Sequence, residues 1–188
     1  MAPVRAALAS ANAHKARELE WALPGWEIEP LVVEYPPETG ASFYENARDK
    51  ARFGRTVAPP DAWVLAEDSG IEVDALDGGP GIFSSRWAAG DEVGRMLEAM
   101  AGREPRSARY VSELVAIDPD GKEYRGTGRL EGRIAESAAG DAGFGYDPVF
   151  VPDGETQTVG VLGDDWKREH SHRARAARAL LATLDATS

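Results

Sequence analysis

The sequence predicts an α/β fold with a mixed central β-sheet flanked by helices. Three observations lead there. Short apolar runs of strand length alternate along the chain with stretches of helical period. Pro119-Asp120-Gly121 sits between two long runs and reads as a hairpin turn, which rules out a purely parallel sheet. The 188 residues, 43% hydrophobic with five Trp, suffice for one compact domain spanning 1–188, with room for two lobes.

Val4–Ala9 is small and apolar, a first buried strand. Ser10-Ala11-Asn12-Ala13-His14-Lys15 follows, then a helical pattern carrying Leu19, Trp21 and Leu23 that Pro24-Gly25 stops. Ile28–Val33 reads as a second strand, and Pro36-Pro37 breaks the chain. Ser42 and Glu45 have capping-box spacing ahead of a helix with Phe43, Ala47 and Ala51 on one face. Trp63–Ala66 and Ile71–Leu76 read as strands on either side of a turn, Glu67-Asp68-Ser69-Gly70. Gly78-Gly79-Pro80-Gly81 is a loop, and Asp91 caps a helix that runs to Met100. Arg109–Ile117 and Lys122–Ile134 are the hairpin strands. Phe144–Val151 is extended, with Pro148 marking an edge or a bend. A last amphipathic helix runs from about Ser171 to Leu184.

Composition narrows the function. There are no Cys, which excludes a disulfide scaffold, zinc fingers and a thiol nucleophile. The net charge of −11 repels nucleic-acid backbones, and the basic residues are scattered apart from a group around Lys167–Arg178, so nucleic acid is not the expected partner. No apolar run approaches the ~18 residues of a membrane span, so no membrane association is expected and the cytoplasm is the default. A small anion escorted by a divalent cation remains compatible with the excess of carboxylates.

Four groups of residues can carry chemistry. Asn12 is placed to cap the first helix, which puts Lys15 in its first turn. A cation there opposes the helix dipole at a cost of roughly 0.3–1 kcal/mol, and a bound anion reverses that sign. A solvated Lys on an ordinary capped helix is the alternative. The acidic set Glu38, Glu45, Glu67 and Asp68 offers oxygen ligands, which favour Mg²⁺ or Mn²⁺ over zinc or copper. Each of these carboxylates also has a structural explanation, and adjacent Glu67 and Asp68 diverge too far to bind one ion. Phe144, between two glycines, offers its ring face to a flat ligand, with Asp147 able to accept hydrogen bonds, unless the segment simply packs in the core. Lys167 with Ser171-His172-Arg173 puts further cations near a helix start, or else forms a solvated basic face.

Five stretches in order, SANAHK (10–15), ETGASFYENARDKA (38–51), AEDSGIEVDALDGGPGIFSSRWA (66–88), GFGYDPVFVPDG (143–154) and SHRARAARAL (171–180), resemble the Ham1/RdgB family of inosine triphosphate pyrophosphatases. The resemblance implies an ITPase/Maf-like mixed α/β fold with two lobes around a substrate cleft, usually as a homodimer. It implies Mg²⁺-dependent hydrolysis of ITP, dITP and XTP to the nucleoside monophosphate and pyrophosphate, a house-cleaning reaction on small-molecule nucleoside triphosphates. By position, Ser10, Ala11, Asn12, Ala13, His14 and Lys15 would line the triphosphate. Glu38 and Asp68 would serve the metal, with Asp68 also the general base. Ser69, Phe144, Gly145, Tyr146, Asp147, Lys167, His172 and Arg173 would contact the nucleotide. A related pyrophosphatase for modified pyrimidine or methylated nucleotides would share the chemistry but not the Phe144 and His172 motifs. A non-catalytic nucleotide-binding module would have no need of Glu38 and Asp68.

Overall fold

A computed structural model describes residues 3–10 and 12–186. Its six-stranded sheet has the order β2-β1-β3-β4-β5-β6, from β1 (Val4–Leu8), β2 (Trp26–Pro30), β3 (Trp63–Val73), β4 (Ser107–Ile117), β5 (Glu123–Ile134) and β6 (Phe150–Pro152). The helices are α1 (Ala13–Ala22), α2 (Phe43–Val57), α3 (Ser84–Ala88), α4 (Glu92–Ala99), α5 (Val159–His170) and α6 (His172–Asp185). Strand β1 pairs in parallel with β2 and with β3, whereas β5 and β6 are antiparallel, so the sheet is mixed as expected. Among the described residues no helix is long and apolar enough to cross a membrane.

The chain divides into two compact units. One comprises the chain up to Asp68, Ser112–Gly128 and the chain from Arg173; the other comprises Ser69–Val111 and Arg129–His172. In the first unit, strand alternation sorts side chains onto two faces. Ala6, Leu8, Leu65, Leu114 and Ala116 pack with Leu19 of α1 and Ala176, Ala177 and Leu180 of α6. Ala9, Val64, Ala66, Val115 and Ile117 pack with Ala47 and Ala51 of α2. A Cβ at Gly126 of β5 would collide with the Ala176 carbonyl, so this glycine lets α6 lie directly on the strand. In the second unit Ile71, Val73, Tyr110, Leu130, Val149 and Phe150 surround Met96 and Met100.

Four local expectations are corrected. The expected turn at Glu67–Gly70 does not exist: β3 runs unbroken from Trp63 to Val73, because Glu67 and Asp68 are buried with partners on both faces and need no solvent. Phe144–Val151 is not one extended segment. A 3₁₀ turn occupies Asp147–Val149, leaving only Phe150–Pro152 as strand. The second strand is Trp26–Pro30 rather than Ile28–Val33. The last helix runs close to its expected bounds, as α6 from His172 to Asp185, but Lys167 is not at its start: Lys167 belongs to α5, whose helical path is interrupted at Gly163 (φ 80°), and Ser171 separates α5 from α6.

Candidate active site

At the start of α1, Asn12 Oδ1 accepts hydrogen bonds from the His14 and Lys15 backbone N–H groups at 3.0 and 3.2 Å. Ser10 Oγ accepts from the Asn12 N–H at 3.2 Å. Asn12, Ala13 and His14 are exposed, and Ala11 lies outside the described residues. The first turn holds no acidic residue. Lys15 is nevertheless not a solvated cation, because its Nζ lies 2.8 Å from Glu67 Oε2 and its side chain is 16% exposed. Strand β3 thus supplies the anion that a cation at this helix end requires.

Glu67 and Asp68 are consecutive on β3, so they leave the strand on opposite faces. Glu67 shares the α1 and α6 face: besides Lys15 it accepts from Ser112 Oγ at 2.8 Å and faces Arg173 Nε at 3.1 Å. Arg173 in turn donates from Nη1 to Glu18 Oε2 at 2.9 Å. Two carboxylates and two cations therefore form a charge-balanced buried group, the arrangement that limits the desolvation cost of each.

Asp68 takes the α2 face. Its Oδ2 accepts from Asn46 Nδ2 at 3.1 Å and its Oδ1 from Lys50 Nζ at 3.3 Å. The same Lys50 ammonium donates to Glu38 Oε1 at 2.8 Å. Glu38 stands before the α2 N-terminus, where Ser42 Oγ accepts from the Glu45 N–H and Glu45 Oε2 accepts from the Ala41 N–H. Glu45 is thus part of the cap. Burial pushes the Asp68 carboxyl above the ordinary carboxylate value; Lys50 and Lys15 oppose the rise, while Glu38 and Glu67 add to it. Burial alone would push Lys50 down, but Asp68 and Glu38 outweigh it and hold the ammonium above the ordinary lysine value. The result is a carboxylate more basic than usual, gripped by a firmly protonated lysine.

Glu38 and Asp68 suit a hard divalent cation. Their oxygens already converge on a common positive centre, the Lys50 ammonium. Among the described residues no group of three or more Asp, Glu or His side chains is arranged to hold a metal. Two carboxylates match Mg²⁺, which usually keeps several waters and takes its remaining ligands from substrate phosphates.

The second unit carries its own polar group. Gly143 and Gly145 flank Phe144 with φ of 77° and 64°, conformations that favour glycine and turn the chain sharply around the aromatic ring. Asp147 is the hub of this turn. Its Oδ2 accepts from the Phe144 N–H at 2.9 Å and from Lys167 Nζ at 2.7 Å, and its Oδ1 accepts from Tyr110 Oη at 3.1 Å. Lys167 is buried and lies 4.7 Å over the Phe144 ring. Tyr110 stacks on His172 with centroids 4.6 Å apart and planes 11° from parallel. Tyr146 is buried and donates to the Ser84 carbonyl at 2.6 Å, and burial drives its phenol well above the ordinary value. Ser69 is half-buried on β3.

The Ham1 family model matches residues 6–183, which include all five stretches. The chain belongs to the Ham1 family. It is 44% identical over 187 residues to a dITP/XTP pyrophosphatase of Deinococcus radiodurans, covering 95% of this chain and 92% of that protein. It is 44% identical over 195 residues to a dITP/XTP pyrophosphatase of Symbiobacterium thermophilum, covering 99% and 98%. Among solved structures, the Staphylococcus aureus Ham1 protein superposes with a TM-score of 0.84 at 30% identity, covering 98% of this chain and all of that one.

Against this Ham1 background, sequence reasoning missed Lys50, Asn46, Glu18 and Tyr110. The signal for the first two was present. Asn46 and Lys50 are polar residues set within the stripe Phe43-Ala47-Ala51 that α2 buries, and a polar residue on a buried stripe needs a partner. Glu18 likewise sits on the α1 face that buries Leu19.

Proposed function

We propose that this Ham1-family chain is a nucleoside-triphosphate pyrophosphatase. It hydrolyses the non-canonical purine nucleotides ITP, dITP and XTP to the nucleoside monophosphate and pyrophosphate. Nearly full-length similarity to proteins named dITP/XTP pyrophosphatase supports the substrate class. The observation that carries the chemistry is the pair Asp68 and Glu38, converging on one cationic centre with the Asp68 carboxyl held unusually basic.

In this reading Asp68 takes a proton from water as the water oxygen attacks phosphorus. The phosphoanhydride bond between the α- and β-phosphates breaks, and pyrophosphate leaves without a covalent enzyme intermediate. A positioned general base contributes typically ~10²–10⁴-fold. Glu38 and Asp68 would hold Mg²⁺, which when bound would supply charge neutralisation for the triphosphate. Ser10, Asn12, Ala13, His14 and Lys15 line the phosphates. Glu67 orients Lys15.

The Phe144–Asp147 turn, with Ser69, Lys167, His172 and Arg173, receives the nucleoside. Phe144 stacks on the base, and Asp147 acts by fixing the Phe144 backbone and the Lys167 ammonium. A donor facing the 6-position of the base, from His172, Arg173 or a backbone N–H, pairs with the keto oxygen of hypoxanthine or xanthine. Adenine would oppose that donor with its own amino group, at ~1–3 kcal/mol. The reading includes residues 1–188 as one catalytic domain, a homodimer and a cytoplasmic nucleotide pool as substrate source.

The test is a comparison of kcat/KM for ITP, dITP, XTP, GTP and ATP, each with Mg²⁺ and with chelator, alongside the mass of the protein in solution. The reading expects turnover of the first three, lost in chelator, and discrimination against ATP by on the order of 10–100-fold. Equal turnover of ATP and XTP would overturn the base selectivity, and turnover in chelator would overturn the metal.

A further inference from the structure

We infer that Lys50 is a resident counter-cation that keeps Glu38 and Asp68 from holding a divalent metal until the nucleotide arrives, so that metal and triphosphate enter together. The inference rests on the proposed metal role of Glu38 and Asp68.

The geometry is specific. Lys50 Nζ lies 2.8 Å from Glu38 Oε1 and 3.3 Å from Asp68 Oδ1, and its side chain is 14% exposed. It thus occupies the point toward which both carboxylates turn. A divalent ion held by those same two carboxylates would have to share their surroundings with the ammonium, and like charges close together in a partly buried site repel strongly. The two states are therefore mutually exclusive unless Lys50 moves.

Asn46 steadies only Asp68 Oδ2, leaving Oδ1 to Lys50. Without Lys50 the two carboxylates would lose the ammonium that they share, so the lysine also preserves the site before substrate binds. A triphosphate changes the balance. It brings several negative oxygens, enough to ligate the metal and to receive the displaced ammonium, which has a flexible four-carbon stem and three donors. Lys50 then turns from the carboxylates to a phosphate oxygen. On this account Lys50 is a positioning residue in the free protein, and metal–nucleotide is the species that binds.

The experiment is Mn²⁺ binding to the full-length chain without nucleotide, by calorimetry and by the loss of free Mn²⁺ paramagnetic signal. Wild type, Lys50→Met and Lys50→Met/Glu38→Gln are compared, with Lys50→Gln as a second replacement that retains a hydrogen-bond donor. Thermal melts with and without Mn²⁺ accompany each. The inference expects weak binding to wild type and binding tighter by at least about tenfold in Lys50→Met, since a repelling charge has gone. It expects a lower metal-free Tm for that variant, restored by Mn²⁺, and loss of the gained affinity when Glu38→Gln is added.

Binding to Lys50→Met no tighter than to wild type would overturn the inference. So would submillimolar binding to wild type alone. If that happened while wild type still hydrolysed XTP in Mg²⁺ and Glu38→Gln did not, the functional reading would stand and only the role of Lys50 would fall. Persistence of the gained site in the double variant would instead remove Glu38 from the metal site, and with it both statements.

Discussion

Asp68 is asked to be buried and ionised at once. Its folded-state value lies above the ordinary 3.8, with burial the largest cause. The fold therefore favours the neutral carboxyl, and that preference contributes stability below the unfolded value and loses it as pH rises through the folded one. In the metal-free chain Asp68→Asn should accordingly raise Tm at neutral pH, with the gain fading as pH falls below the ordinary carboxylate range. Thermal melts across pH check this, and a lower Tm at pH 7 would contradict it. Turnover by the same variant should fall by about 10²–10⁴-fold. The Asp147–Lys167 pair has the opposite balance: both side chains are buried, and removing one partner strands the other's charge. Lys167→Met should cost about 3–5 kcal/mol in denaturant unfolding, and adding Asp147→Asn should recover part of that loss.

At the scale of elements, the sequence is most legible where one element explains its own residues. Asn12, Ser42 and Asp91 each accept the backbone hydrogen bonds expected of a helix cap. Asn12→Ala should cost about 0.5–2 kcal/mol, measurable by denaturant unfolding, and raise KM for the nucleotide. Legibility fails where the reason for a residue lies in another element. Asp68-Ser69-Gly70 has turn composition, yet β3 continues because Asn46 and Lys50 of α2 satisfy Asp68 while Lys15 and Arg173 satisfy Glu67. Phe144–Val151 has strand composition, yet Asp147 curls the chain by gathering Phe144, Lys167 and Tyr110 around one carboxylate. Gly126 carries no local signal at all; its cause is the close approach of α6. Gly126→Val should lower Tm by displacing that helix, which a melt followed by circular dichroism would register.

At the scale of the molecule, two polar groups of different character lie on one chain with a net charge of −11. Each balances its buried carboxylates with its own lysines: Glu67 with Lys15, Asp68 with Lys50, and Asp147 with Lys167. The five motif stretches could be recognised in the sequence, but the pairing that makes each carboxylate tolerable comes only from the fold. Under the proposed function, this charge-balanced machinery cuts a nucleoside triphosphate between its α- and β-phosphates. Phosphorus NMR of XTP incubated with the wild-type protein and Mg²⁺ tests it most directly. Nucleoside monophosphate and pyrophosphate in equal amounts are the expected initial products. Nucleoside diphosphate with inorganic phosphate would contradict it, because the β–γ bond would then be the one broken.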